Sequence, residues 1–314
     1  MRLTLACAAL IVAATAAFAP ARAADAQFPT GSRIGLTPPP GFASSEAFRG
    51  FDDRANKAAI LMLEMPPQAF AEVSKAMTAE SLKKQGVLLE KRENLTLKTG
   101  KAVLLTGRQE ANGDKLRKWI LIADTPKMTA LVTALVPEEA KAAYPDAAVR
   151  DALTSLSVRD EVPVQELLGL LPFKIDDFAD LRPFRVEPNT VFLTEGPKDT
   201  VNGTEQPLLV VSAASGGPAE NSARDAFARN MLSGLPGYSN LQIVGADMLR
   251  LSGMQTHQLF AEAKDEKTGD AVKLVQWIRF GNGAFVRFLG IAKSDAWQDA
   301  FGRFRTVRDG LAAR

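Results

Sequence analysis

A duplicated hairpin pattern constrains this 314-residue chain more than any other feature of its sequence. In residues 272–293, two apolar runs rich in Val, Leu, Ile and Phe flank a Gly-Asn-Gly turn, which is typical of a β-hairpin. A similar pattern occupies residues 116–135, where Trp119 and the isoleucine after it align with Trp277 and its isoleucine. Because the chain has only three tryptophans, this alignment predicts an internal repeat.

The elements around the two hairpins follow the same order in each half of the chain. Each half has an early strand, a helical stretch, further strands, the hairpin, and a closing helix that runs into the tripeptide Val-Arg-Asp. The predicted pairs are strands 59–64 and 208–212, helices 67–85 and 218–233, and closing helices 148–157 and 297–306. The sequence therefore predicts two tandem domains, residues 24–160 and 170–314, joined by a linker at 161–169.

Hairpin connections favour an antiparallel sheet in each domain, since parallel strands need longer crossover connections. We accordingly predict an α+β fold with two tandem domains, each a curved antiparallel sheet covered by helices. A single large doubly wound domain is the alternative. It fits the sequence less well, because such a domain requires regular alternation of strands and helices.

The opening segment from Gly35 to Phe42, which reads GLTPPPGF, precedes an early strand, a long helix, the tryptophan hairpin and a terminal helix. This order of elements resembles the PsbP/DcrB-type domain, and the resemblance covers both copies, although the second lacks the proline-rich opening. The resemblance implies an α/β sandwich around an antiparallel sheet. It also implies a mostly non-catalytic role, since the family includes photosystem assembly subunits, a nucleotide-release factor for a small GTPase and periplasmic proteins, without shared catalytic residues.

Residues 1–23 have the layout of a secretory signal peptide. Arg2 precedes an apolar stretch, and Ala21-Arg22-Ala23 is an A-x-A cleavage motif. We expect cleavage after Ala23 and a periplasmic or secreted mature protein, with a retained N-terminal anchor as the alternative. No later stretch has about 18 uninterrupted apolar residues, so no integral membrane segment is expected after cleavage.

The charge balance argues against nucleic acid as a partner. The chain has 38 basic and 36 acidic residues, and the predicted signal peptide holds two of the basic residues and none of the acidic ones. The remainder is therefore neutral overall, without the basic excess that nucleic-acid binding requires. The single cysteine, Cys7, also lies in the predicted signal peptide, so the mature chain should contain no disulfide.

A metal or cofactor site is not predicted. His257 is the only histidine, and a zinc site needs several nitrogen or sulfur donors. We interpret His257 as a partly exposed residue of a strand.

Three short motifs raise the alternative of a serine-based hydrolase of cell-wall or ester substrates. An S-x-x-K motif (Ser81 and Lys84), a Tyr-x-Asn motif and a Lys-Thr-Gly motif occur in the order used by penicillin-binding proteins and β-lactamases. However, Lys267 of the third motif lies in a polar stretch that predicts a turn rather than an inner strand. The motifs also fall in different repeats, so we predict no enzymatic activity.

Two arginines interrupt the apolar hairpin of the second copy. If the loop comprises residues 281–283, Phe280 pairs with Ala284 and cations lie opposite aromatic rings on one face. The residues that share this face, and form the predicted binding site, are Trp277, Arg279, Phe285 and Arg287. Structural pairing is one interpretation. A binding surface is the other, because the first copy keeps the tryptophan without the arginines, and Trp and Arg favour binding hot spots.

These features predict an exported binding or assembly protein of the periplasm that acts through contacts on a sheet face. Its partner would be a protein or a small ligand. A small-ligand carrier with its pocket between the two domains is a further alternative.

Overall fold

The computed structural model describes residues 25–111, 113–200, 202–251, 253–281 and 283–313. The described residues form two compact units, which we call the first and second domains. The first comprises Ile34–Val158 with the described residues up to Phe28, and the second comprises the described residues from Arg159 onwards with Pro29–Arg33. The predicted signal peptide lies outside the described residues. No helix in the part of the chain that the structure describes is long and apolar enough to cross a membrane.

The first domain is a seven-stranded antiparallel sheet with helices on both faces. Its elements are β1 Ile34–Gly35, β2 Ala43–Ser44, β3 Gly50–Asp53, β4 Ala58–Met65, α1 Ala69–Ala76, α2 Ala79–Lys84, β5 Val87–Leu97, β6 Gly100–Ala111, β7 Asp114–Asp124, β8 Thr129–Pro137, α3 Asp146–Thr154 and β9 Ser157–Val158. The strand order is β2-β3-β4-β8-β7-β6-β5, and β1 pairs separately with β9.

The second domain repeats this architecture. Its elements are α4 Val164–Gly169, β10 Phe173–Ile175, β11 Arg182–Glu187, β12 Thr190–Thr194, β13 Leu208–Ser215, α5 Asn221–Ser233, β14 Tyr238–Leu251, β15 Met254–Asp265, β16 Ala271–Phe280, β17 Ala284–Lys293, α6 Trp297–Asp309 and β18 Leu311–Ala313. The strand order is β11-β12-β13-β17-β16-β15-β14, and β10 pairs separately with β18.

The two strand orders are the same, which confirms the predicted α+β fold of two tandem antiparallel sheets. Trp119 in β7 and Trp277 in β16 each lie in the fifth strand of their sheet. The aligned tryptophans therefore mark equivalent positions of the repeat.

Each sheet has a buried hydrophobic cluster on both faces, and successive side chains along a strand point to opposite sides. Trp277 packs beneath α6 with Phe304 and Val307, whereas the next residue, Ile278, packs beneath α5 with Leu232. The first domain follows the same rule, with a core beneath α3 and a smaller core beneath α2.

The helix predicted at residues 67–85 is in fact two helices, α1 and α2. Thr78 begins α2, where its Oγ1 accepts a hydrogen bond of 3.1 Å from the Ser81 backbone and its own backbone N–H donates to the Ser81 hydroxyl at 3.0 Å. Such a reciprocal capping pair starts a new helix. The apolar residues of this stretch keep helical spacing across the break between α1 and α2, so the sequence pattern predicted one helix.

The two Val-Arg-Asp tripeptides do not occupy equivalent positions. Val158 ends β9, whereas Val307 lies within α6, which continues to Asp309. The structural counterpart of β9 is β18, since each pairs with the first strand of its domain. The shared tripeptide is therefore unrelated to the repeat, although the repeat itself is real.

The segment at 161–169, predicted as a linker, contains α4. Glu166 of this helix accepts two hydrogen bonds from Arg159, at 2.8 and 2.6 Å, and one from the Gly31 backbone N–H at 3.1 Å. This charge-assisted cluster holds α4 within the second domain.

Candidate functional site

The hairpin that carries the predicted binding residues has a different register from the predicted one. Phe280 pairs with Phe285 rather than with Ala284, which pairs instead with Ser215 of β13. The rings of Phe280 and Phe285 lie 6.1 Å apart, and both pack edge-on against Phe227 of α5. This aromatic cluster stabilises the observed pairing.

A register shift of one residue moves every side chain of one strand to the other face of the sheet. Trp277 and Arg279 consequently lie on the face covered by α6, whereas Phe285 and Arg287 lie on the face covered by α5. The prediction that these four residues share one surface was therefore wrong.

The register also changes which residues of the first domain correspond to the hairpin. Arg287 pairs with Ile278, and the equivalent isoleucine of the first domain, Ile120, pairs with Thr133. Arg287 therefore corresponds to Thr133 of the first domain.

Trp277 is a fully buried core residue beneath α6. Its indole N–H donates a hydrogen bond of 2.7 Å to Gln258 Oε1, and its ring stacks on Phe301 with centroids 6.0 Å apart. The guanidinium carbon of Arg308 lies 4.8 Å from the ring centroid, within the range of a cation–π contact. These contacts account for Trp277 as part of the fold.

Arg287 belongs to a hydrogen-bond network that fastens α5 to the sheet. Its Nε donates to Gln276 Oε1 at 2.8 Å, and a terminal amino group donates to the Met231 carbonyl at 3.2 Å. The Gln276 amide in turn donates to the Ala228 carbonyl at 2.8 Å. Burial lowers the pKa of Arg287 to about 10, so the side chain remains charged at neutral pH. The structure therefore accounts for Arg287 by its role in packing.

Arg279 differs from both of these residues in its hydrogen bonding. It is 7% exposed, and its Nε has no hydrogen-bond partner among the described residues. Its cross-strand neighbour Thr256 is also buried with an unpartnered hydroxyl. Burial lowers the pKa of Arg279, the nearby charge of Arg308 lowers it further, and Asp309 has the opposite effect.

Asp309 is the carboxylate that raises the pKa of Arg279, but it is already paired with Arg308. Asp309 accepts a hydrogen bond of 2.8 Å from Arg308 Nε, and the two side chains form an ion pair. Arg308 and Asp309 therefore compensate each other, which leaves the positive charge of Arg279 in excess at this position.

A cavity of about 230 Å³ opens beside Arg279 at the loop end of the hairpin. Arg279 contributes the only charged side chain among the described residues that line it. The lining residues are Pro172, Phe173, Ala213, Met254, Arg279, Phe280, Gly281, Ala284, Phe285, Val286, Leu311 and Ala312. We call this the Arg279 cavity. Its composition, apolar walls with one polar group, is typical of small-molecule sites.

Sequence reasoning identified Arg279 and Phe285 but missed the opposite wall of the cavity. That wall comes from Phe173 in β10 and Leu311 in β18, which the pairing of these strands brings together. No local motif marks either strand. The signal that could have found them is the repeat itself, since β1 and β9 form the corresponding pair in the first domain.

Ser81 and Lys84, the proposed reactive pair of a hydrolase, have structural roles on α2. The Ser81 hydroxyl donates to the Ala76 carbonyl at 2.6 Å and accepts from the Thr78 backbone N–H at 3.0 Å. Lys84 Nζ lies 3.2 Å from Glu80 Oε1, one helical turn away. These contacts explain both side chains without catalysis.

His257 is 4% exposed, so the expectation of a partly exposed histidine was wrong. Its ring packs edge-on against Phe280 at 5.5 Å, and burial lowers its pKa. Among the residues that the structure describes, no group of three or more His, Cys, Asp or Glu side chains is placed to hold a metal ion.

Comparisons with known proteins find distant similarities only. No protein family and no curated protein sequence matches the chain. Among solved structures, LpqN of Mycobacterium tuberculosis, which is involved in cell envelope biogenesis, is 17% identical with a TM-score of 0.36, over 45% of this chain and 82% of its own. PsbP (CyanoP) from Synechocystis sp. PCC 6803 is 12% identical with a TM-score of 0.30, over 44% of this chain and 95% of its own.

A third structure spans nearly the whole chain. The immunity protein TplEi of the Pseudomonas aeruginosa T6SS, solved with an "L" peptide, is 9% identical with a TM-score of 0.30, over 92% of this chain and 97% of its own. A PsbP structure is thus among the distant similarities, whereas no sequence family identifies the chain as a PsbP/DcrB relative.

Proposed function

We propose that this protein is an exported, non-catalytic binding protein that holds its ligand in the Arg279 cavity. The observation that supports binding is a largely buried arginine at the wall of an apolar cavity, whose Nε has no hydrogen-bond partner among the described residues. Export is proposed from the signal-peptide layout of residues 1–23.

The energetics of Arg279 favour a bound anion. A buried donor without a partner destabilises the folded state, because the protein does not replace the hydrogen bond that water would provide. An anion in the cavity would supply charge-assisted hydrogen bonds to the guanidinium. The fold itself does not need this arginine, since the equivalent residue of β7 in the first domain is the buried Leu121. A ligand therefore explains Arg279 better than packing does.

The lining of the cavity favours binding over catalysis. General acid–base and nucleophilic mechanisms use side chains such as His, Asp, Glu, Ser, Lys or Cys at the reacting atoms. The described residues that line the Arg279 cavity include none of these types. The cavity therefore offers recognition of an anion and an apolar surface, without a group suited to proton transfer.

A thiol-protection experiment tests whether the cavity is a binding site. Ala284 lines the cavity and is exposed, and the predicted mature chain has no cysteine of its own, so A284C introduces a single reactive thiol. We expect a periplasmic extract to slow the reaction of A284C with a maleimide. The matched control is A219C, at an exposed position of the same domain that does not line the cavity.

If A284C reacts at the same rate with and without the extract, nothing in the periplasm occupies the cavity. If A219C is slowed as much as A284C, the extract quenches the reagent and the protection has no bearing on the site.

A further inference from the structure

We propose that the Arg279 cavity binds a monocarboxylate with an apolar body, whose carboxylate pairs with Arg279 and whose chain lies among the apolar walls. This inference rests on the proposed function, because it names the class of ligand that the same cavity takes.

The head group follows from the hydrogen-bonding geometry of arginine. A guanidinium presents its N–H groups in a planar fork that matches the two oxygens of a carboxylate. Arg279 Nε has no partner among the described residues, and the unpartnered hydroxyl of Thr256 lies on the neighbouring strand of the same face.

The number of charges favours a monoanion over a phosphate. Among the described residues that line the cavity, Arg279 alone carries a charge, and the nearby Arg308 is already paired with Asp309. One negative charge therefore neutralises the site. A second negative charge would be buried among apolar side chains without a counterion, which is strongly unfavourable.

The apolar walls of the cavity favour a ligand with an apolar body. Side chains of Phe173, Val286 and Leu311 surround the cavity, with Pro172 and Met254. Each methylene that moves from water into such a site improves binding by about 0.8 kcal/mol, which corresponds to about fourfold in affinity. Affinity should accordingly rise with chain length until the cavity is full.

The size of the cavity favours a small molecule over a polypeptide. Its volume of about 230 Å³ lies below the range of about 300–1,000 Å³ that is usual for drug-sized ligands. Arg279 is also only 7% exposed, so a slender group reaches it more readily than a folded surface.

Isothermal titration calorimetry with matched probes tests the ligand class. Hexanoate, octanoate and decanoate test the chain, and octanamide and octyl phosphate replace the head group at constant chain length. We expect octanoate to bind more tightly than hexanoate, and at least tenfold more tightly than octanamide or octyl phosphate. Equal binding of octanoate and octanamide would overturn the role of the carboxylate.

Variants of Arg279 locate the binding site. R279L should weaken octanoate binding at least tenfold and leave octanamide binding unchanged, whereas R279K should retain part of the preference for the anion. The matched control is R229L, which removes a partly exposed arginine of α5 that pairs with Asp225 and does not line the cavity. The proposal is wrong if R279L binds octanoate as tightly as the wild type and circular dichroism shows that the variant is folded.

Two further outcomes separate this inference from the proposed function. If periplasmic extract protects A284C but no carboxylate binds, the cavity is a binding site and the ligand class is wrong. If a short apolar peptide with a free carboxyl terminus binds more tightly than octanoate, the occupant is a polypeptide terminus and this inference is also wrong.

Discussion

Each domain covers its central tryptophan with an arginine, but the arginine comes from a different part of the chain. In the first domain Arg117, from the same strand as Trp119, lies 5.2 Å from the ring centroid. In the second domain Arg308, from α6, lies 4.8 Å from the centroid of Trp277. Both arginines are buried, and both pair with a carboxylate.

The difference between the domains separates the arginines of the fold from the arginine of the site. The Nε of Arg117, like that of Arg279, has no hydrogen-bond partner among the described residues, but its terminal amino groups donate to Asp146 and, at 2.8 Å, to the Tyr144 carbonyl, so its charge is compensated. Arg279 is an additional cation on the same face of the second sheet, at a position where the first domain has Leu121. An arginine over the tryptophan is therefore common to both domains, whereas Arg279 is particular to the second.

Replacing the tryptophans should have the largest effect on stability. W119A and W277A each remove a buried aromatic ring, which costs about 3–5 kcal/mol. In differential scanning calorimetry, W119A should lower the transition temperature of the first domain only, and W277A that of the second only. A W277A protein with both transitions unchanged would contradict the equivalence of the two residues.

Replacing the arginines should separate the two roles. R117L removes the donors to Asp146 and to the buried Tyr144 carbonyl, so we expect a loss of about 1–3 kcal/mol in the unfolding free energy of the first domain. R279L removes an unpartnered buried charge and should leave the second domain equally stable or more stable. Urea denaturation of the two variants measures both effects. A loss in R279L as large as that in R117L would mean that Arg279 has a structural role.

The repeat and the antiparallel sheets could be predicted from sequence because both depend on patterns of residues that are close together in the chain. The apolar runs, the turn and the rare tryptophan are visible without knowledge of distant contacts. The register of the second hairpin is different, since the packing of Phe280 and Phe285 against Phe227 of α5 stabilises it. A local preference for a three-residue loop competes with that packing and does not prevail.

The candidate site could be predicted only in part for the same reason. An arginine within an apolar strand is conspicuous, so Arg279 was identified, but Arg287 has the same local appearance and is bound to Gln276. Whether a buried cation has a partner depends on residues that fold beside it from elsewhere in the chain. The walls at Phe173 and Leu311 likewise follow from a pairing between strands at opposite ends of the second domain.

Removing the hydrogen bond between Tyr144 and Asp53 should make the first domain more sensitive to acid. Hydrogen bonds from Asn56 and Tyr144 lower the pKa of Asp53, so this carboxylate stabilises the domain above about pH 4 and loses its contribution as the pH falls through its folded-state pKa. Burial raises the pKa of Tyr144 to about 12, so its hydroxyl remains a donor over this range.

Y144F removes this donor and should raise the pKa of Asp53 towards its ordinary value. We expect a loss of about 1 kcal/mol at neutral pH and an acid transition of the first domain that begins at higher pH than in the wild type. Calorimetric scans between about pH 3 and 7 measure it. The second domain is the internal control, because Thr194 ends β12 where Asp53 ends β3. An equal shift of both transitions would show that Y144F acts elsewhere.

The smallest expected effect is that of S81A, which also tests the hydrolase alternative. The Ser81 hydroxyl completes a capping pair in the first domain, so its removal should cost no more than about 1 kcal/mol. We expect a fluorophosphonate serine probe to label neither the wild type nor S81A, because the hydroxyl is engaged with backbone groups and Lys84 is paired with Glu80. The matched control is S74A, on α1. Labelling that persists in S74A and disappears in S81A would identify Ser81 as a nucleophile, and would move the functional site from the Arg279 cavity of the second domain to the first domain.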